Sequence, residues 1–365
     1  MIRPLAITLA LWAITCLHGC ISGPEDRAAL DEEVGRAVAS GVQVRVKEGH
    51  AVVRSLAADA LSLWSSVPLF EAELSLESDT DFTIVVDNAL PDAGLRVITE
   101  TGATPDVDAR TGERATQRIF EVALPTGASR LVLETADRDE RAPYRIALMS
   151  DIQEAVDDVQ DLFDAIEVEP NIRFLLGAGD LASNGTRDEL VRIQRELHQF
   201  DLPYYTTLGN HDIDEFGAWQ TLFGRGNLSF MFRGVRFTLL DSAAASLSPV
   251  VYDWLEGWLA AGAGSTHVVG MHIPPLDPVG VRNGSFGSRH EAGKLLARLA
   301  EGGVDLTVYG HIHSYYRFDN GSIPAIISGG GGAIPERFDG VQRHFTVLTL
   351  GADAGFVDAR IVEVD

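Results

Sequence analysis

Cysteine is nearly absent from this sequence. Its 365 residues hold two, Cys16 and Cys20, both within the first twenty positions. A disulfide framework for the body of the chain is therefore excluded, and so is a structural zinc site built on thiolates. Positive charge is scarce as well: 29 Lys and Arg stand against 53 Asp and Glu, a net charge of −24. Non-specific nucleic-acid binding depends on basic side chains that neutralise phosphates, so this composition argues against a nucleic-acid partner. Beyond Cys20 no apolar run is long enough to span a bilayer. Internal repeats are lacking, and the one low-complexity piece is Gly329 to Gly332.

What is present is an ordinary 45% hydrophobic content, enough for two domains. The N-terminus has Arg3 and then a mostly apolar stretch from Leu5 to Cys16, the pattern of a signal-peptide core. Leu17-His18-Gly19-Cys20 follows and resembles the lipobox of bacterial lipoproteins, from which His18 departs. The resemblance implies a signal peptide over 1–19, lipidation of Cys20, export, and anchoring to a membrane of the cell envelope. It also implies a tether over 20–39, flexible from Ile21 to Asp31. An ordinary secretory signal cut nearby is the alternative. The oligomeric state is not specified.

Residues 40–138 alternate apolar and polar with period two: Val42, Val44 and Val46; Phe70, Ala72, Leu74 and Leu76; Phe82, Ile84 and Val86; Phe120, Val122 and Leu124. Alternation marks strands with one buried face, and a hundred residues of it predict an all-β sandwich. No cluster of His, Asp or Glu within it suggests chemistry. Asp137 to Pro143 is a charged boundary, and over 144–365 short apolar strands alternate with helical periodicity. Ile152, Val156, Val159, Phe163 and Ile166 form one helical stripe. Leu190, Ile193 and Leu197 form another, after a capping box at Thr186 and Glu189. Trp254, Leu255, Trp258 and Leu259 mark a third, and Leu295, Leu296 and Leu299 a fourth, after a capping box at Ser288 and Glu291. Strand and helix in alternation predict an α/β layered domain.

Five of these strands end alike. "RIALMSDIQ" ends in Asp151 and Gln153, "RFLLGAGD" in Asp180, and "YYTTLGNHD" in Asn210, His211 and Asp212. "HVVGMHIPP" delivers His272, and "LTVYGHIH" delivers His311 and His313. Ligands bind at the carboxyl ends of strands in α/β sheets. Each residue alone has a bland explanation: Ser150 and Gln153 have capping-box spacing, Asp180 suits a turn, and His272 suits a core. Five ends in order do not. Asp and His together favour Mn, Fe or Zn over Ca or Mg. Seven candidate ligands exceed the needs of one ion and match two ions that share a carboxylate.

The order D-I-Q, G-D, G-N-H-D, lone His, G-H-I-H resembles the calcineurin-like metallophosphoesterase superfamily, with Gln153 in place of the usual His. The resemblance covers about Tyr144 to Asp365. It implies a four-layer α/β/β/α sandwich and two-metal hydrolysis of a phosphomonoester, a phosphodiester or a nucleotide pyrophosphate, with a metal-bridging hydroxide as nucleophile. Asp151, Gln153 and His313 would hold the first ion, Asp180 would bridge, and Asn210, His272 and His311 would complete the second site. His211 would assist the leaving group and Asp212 would orient His211. Gln in the first motif also occurs in the branch similar to manganese-dependent ADP-ribose/CDP-alcohol diphosphatases. The alternative is an envelope scaffold lipoprotein with a degenerate phosphoesterase domain. Arg282, Arg289, His198 and His290 read as surface groups, His267 as structural, and Asn184 as a turn former.

Overall fold

The period-two segments become strands. The computed structural model describes residues 23–280, 284–337 and 340–365; the expected signal peptide and Cys20 lie outside them, as does Arg282. After helix α1 (Pro24–Glu33) come β1 (Arg36–Ala39), β2 (Val42–Val46), β3 (Ala51–Leu56), β4 (Ala60–Ser65), β5 (Phe70–Leu76), β6 (Thr80–Asp87), β7 (Gly94–Thr99), β8 (Asp108–Thr111), β9 (Arg118–Leu124) and β10 (Gly127–Glu134). They make two five-stranded sheets, in the orders β1-β2-β5-β10-β7 and β3-β4-β6-β9-β8. The register Val44↔Leu74 and Val46↔Ala72 turns those side chains inward and Arg45 and Glu73 outward. Leu63, Ile84 and Phe120 of the second sheet join the same buried cluster.

The second domain runs β11 (Tyr144–Met149), α2 (Gln160–Glu167), β12 (Ile172–Ala178), α3 (Arg187–Leu197), β13 (Tyr204–Thr207), α4 (Ala218–Leu222), β14 (Leu228–Phe232), β15 (Val235–Leu240), α5 (Pro249–Gly262), β16 (Thr266–Met271), α6 (Arg289–Glu301), β17 (Leu306–Tyr309), β18 (Tyr315–Asn320), β19 (Ile323–Ser328), β20 (His344–Gly351) and β21 (Gly355–Glu363). Its sheets have the orders β13-β12-β11-β20-β21 and β14-β15-β16-β17-β19-β18. Ile146 and Leu148 pack between the sheets with Phe174, Phe237 and Val308. Ala147 and Met149, on the opposite face of β11, meet Leu162, Phe163 and Leu190 of α2 and α3. Val269 and Met271 meet Leu255 and Leu259 of α5 and Leu295 and Leu299 of α6. The result is four layers, α/β/β/α, behind a β-sandwich. Strands covered on both faces read as continuous apolar runs, which is why period two disappears after Tyr144. Parallel pairing of β11, β12 and β13, and of β16 and β17, gathers their carboxyl ends.

Two expectations are corrected. The tether over 20–39 is, from Pro24 onward, an ordered helix and strand. Arg27 donates to both carboxylate oxygens of Asp241 at 2.6 and 3.0 Å. Asp31 is fully buried and accepts from the main chain of Gly226 and Asn227 and from the side chains of Asn227 and Gln220. Charges buried in this way need fixed partners, and those partners pin the segment. The Ser150–Gln153 capping box does not form. The Ser150 hydroxyl donates to Asp151 and Ser328, and Gln153 turns toward Asp180. At the Thr186–Glu189 box both reciprocal bonds are present, whereas Glu291 gives its carboxylate to Leu247 and Tyr252.

Candidate metal centre

Backbone conformation marks the site before any side chain is considered. Asp151, Gln153, Asp180 and His311 all have positive φ, between 48° and 71°. Non-glycine residues held there are strained and persist where the surroundings impose the conformation, often at functional sites. Gly179, at φ 89°, lets the β12 loop touch the β13 loop: a Cβ on it would lie 2.5 Å from the Gly209 nitrogen.

Asp180 is the hub. Its Oδ2 lies 2.8 Å from Gln153 Nε2 and 3.1 Å from His272 Nε2, and its Oδ1 accepts from the His211 main chain at 2.9 Å. On one side, Asp151 Oδ1 is 3.5 Å from His313 Nε2, and both Asp151 oxygens accept from the His311 main chain. On the other, His272 Nε2 is 3.2 Å from Asn210 Oδ1, and its ring meets that of His311 edge-on at 5.1 Å. Asp180, His272 and His311 each offer one ligand atom within 4.8 Å of the others. All seven expected ligands therefore converge, with His211 at their margin.

The imidazoles are aimed by carbonyls that the sequence does not announce. Nδ1 of His272 donates to Ala178 O at 2.7 Å, that of His313 to Ile334 O at 2.8 Å, and that of His211 to Ser183 O at 2.7 Å. With Nδ1 occupied, Nε2 faces the site, which is how proteins present metal-binding histidines. The Ile334 carbonyl belongs to the loop after Gly329 to Gly332, which docks through Gly331 N to Ser150 O and Ala333 N to Asp151 O. The run of glycines was the one sequence signal for that loop.

Asp212 corrects an expectation. It does not orient His211. Its carboxylate accepts from the main chains of Leu181, Ala182 and Gly209 at 2.8 to 3.0 Å, and so it ties the β12 loop to the β13 loop. Burial, then the Asp180 charge, pushes its pKa up to about 7. Asn184 bonds to Glu189 and His267 to Thr238, as structural groups do.

The electrostatics call for a cation. Burial raises the pKa of Asp151. Burial opposes a charge on His272, yet Asp180 and Asp151 hold its pKa up at about 9. Asp180 is likewise held down at about 2, with burial overcome chiefly by His272. Two buried carboxylates thus draw a proton onto an imidazole where a metal ion would replace it. Carboxylate, amide and imidazole donors fit borderline divalent metals.

Comparison with known proteins agrees. Residues 144–315 match the model of the Calcineurin-like phosphoesterase family. A 3′,5′-cyclic-nucleotide phosphodiesterase from Nostoc sp. is 26% identical over 203 residues, which are 49% of this chain and 75% of that protein. The fold resembles that of a purple acid phosphatase from yellow lupin (Lupinus luteus) seeds, with a TM-score of 0.50 at 14% identity over 82% of this chain and 72% of that one. A dimetal phosphatase from Danio rerio has a TM-score of 0.45 at 14% identity, over 61% of this chain and 99% of that one. Residues 144–315 thus resemble a calcineurin-like phosphoesterase domain, and the chain is an enzyme of the metal-dependent phosphoesterase class.

Proposed function

We propose that the chain hydrolyses a small phosphodiester with two metal ions, and that a 3′,5′-cyclic nucleotide is the first substrate to test. The position of Asp180 between two ligand sets carries this reading. Asp151, Gln153 and His313 lie to one side of it, and Asn210, His272 and His311 to the other. Bound metal supplies Lewis acidity that polarises the phosphoryl group and activates water. The chain supplies the rest. The carboxylates and Nε2 atoms would hold the ions, and Gln153, whose Nε2 lies against Asp180 Oδ2, brings a neutral amide where imidazole is usual. His211 is half-exposed, and its Nδ1 is fixed on Ser183 O. Its Nε2 is then left to hold a proton for the leaving oxygen. The diester in preference to a monoester or pyrophosphate rests on the Nostoc relative.

The test is turnover of a panel of mono-, di- and pyrophosphate esters by the purified protein with Mn, Fe, Zn and Mg in turn. Metal-dependent hydrolysis with diesters fastest is expected. A protein that retains none of these metals and hydrolyses no ester would be a scaffold, and the proposal would fail. We also propose export and lipid anchoring at Cys20. Cells expressing the chain should incorporate an acyl label that Cys20→Ala abolishes; retention of the label in that variant would overturn the anchor.

A further inference from the structure

We infer that a second ligand site, for a small anion carried on a flat ring, lies in the cleft between the outer face of the first sheet and α5, away from the metal centre. The cleft measures about 850 Å³, within the span of roughly 300–1,000 Å³ typical of small-molecule sites. Its lining includes none of the seven candidate ligands.

Its β wall carries a row of charge. Arg36 of β1 pairs with Arg45 of β2, Arg45 with Glu73 of β5, and Glu73 with Arg130 of β10. The row thus holds three arginines and one glutamate. Like charges directly opposite across strands destabilise a sheet. Among the described residues the Arg36 side chain reaches only Glu33, at 3.7 Å, and the Arg45 side chain makes no ion pair or hydrogen bond. Glu71 nearby is already shared by Lys47 at 3.9 Å and Arg130 at 3.7 Å.

A further cation enters from the catalytic domain. Arg225 packs on Gly49, where a Cβ would meet its Nε at a clashing distance, and that Nε is buried without a hydrogen-bond partner. Glu32, Glu48 and Asp253 also reach the cleft, so its cations do not stand alone. Over the whole lining Arg36, Arg45, Lys47, Arg130 and Arg225 balance Glu32, Glu48, Glu71, Glu73 and Asp253, and the excess of cations lies on the β wall, in the row of Arg36, Arg45 and Arg130 around Glu73. Opposite them, α5 presents Trp254 and Trp258, half-buried, with ring centroids 6.2 Å apart. Indole faces stack on flat rings, and guanidiniums bind phosphate or carboxylate in bidentate fashion. Together they select an aromatic anion, for which a purine mononucleotide is the probe.

Calorimetric titration of the full chain with AMP, adenosine and inorganic phosphate tests the site. Saturable AMP binding is expected, at least tenfold tighter than either fragment. Asp180→Asn, which disables the metal centre, should leave it in place. Arg45→Glu and Trp254→Ala should each weaken it at least tenfold, and Arg225→Gln repeats the test from the other wall. AMP binding lost in Asp180→Asn and kept in Arg45→Glu would place the nucleotide at the metal centre alone and overturn the inference. So would adenosine binding as tightly as AMP, or no saturable binding at all.

Discussion

At the scale of single residues, the proposed centre separates candidate metal ligands from a candidate proton donor, His211. His211 touches the hub only through its main chain, so His211→Ala should cut turnover by about 10²–10⁴-fold, the range of a lost general acid, and leave metal content unchanged. Asp180→Ala should lose both. Metal analysis beside a rate assay separates them, and full activity in His211→Ala would remove it from the mechanism. Asp212 makes a different prediction. An Asn in its place turns an N–H₂ toward a main-chain N–H that now donates to carboxylate. That costs about 1–3 kcal/mol and loosens the loop that carries Asn210 and His211. Asp212→Asn should therefore lower the unfolding midpoint as well as kcat. A fall in kcat alone would return Asp212 to the role of orienting His211.

At the scale of elements, the strand ends were legible because apolar runs stop abruptly at polar clusters. The four-layer packing was implied by the family resemblance alone; in the structure it rests on Ile146 and Leu148 facing one way and Ala147 and Met149 the other. What stayed hidden was tertiary. Nothing in the order Arg27…Asp31 tells that Asp241, Asn227 and Gln220 will receive them, because those partners are fixed only once α1 docks. Removing one partner of a buried pair leaves an uncompensated charge, so Arg27→Ala should destabilise by about 3–5 kcal/mol. Arg27→Ala with Asp241→Ala should recover much of that in urea unfolding; additive losses would mean that α1 docks by other contacts. Strand β16 adds a pH dependence. Burial, then Arg236, lowers the His267 pKa from 6.5 to about 4. The unfolded chain then binds more protons between those values, so stability is complete above pH 6.5 and is lost as pH falls toward 4. The full effect is on the order of 3 kcal/mol, at about 1.4 kcal/mol per pKa unit. His50, lowered to about 4 chiefly by its burial, acts in the same direction. Thermal midpoints of His267→Gln across that window should fall less steeply than those of the native chain, and parallel curves would refute the assignment.

At the scale of the whole molecule, charge and site oppose each other. The sequence shows the net charge of −24 and the candidate metal ligands, but not how close the surface acids come to the centre. That distance decides whether an anionic ester is repelled on approach or feels only the local cations. Screening separates the two. The Debye length falls from about 30 Å at 0.01 M salt to about 8 Å at 0.15 M. Over that range the field of distant acids fades, while contacts within the buried centre change little. If the global charge governs encounter, kcat/KM for an anionic diester should rise several-fold from 0.01 to 0.15 M sodium chloride, with kcat nearly constant, because only the approach is relieved. Enzymes that steer anions with a positive surface show the reverse. A fall in kcat/KM over the same range would mean that the metal centre focuses a positive field beyond its own walls and that the acidic surface serves solubility alone.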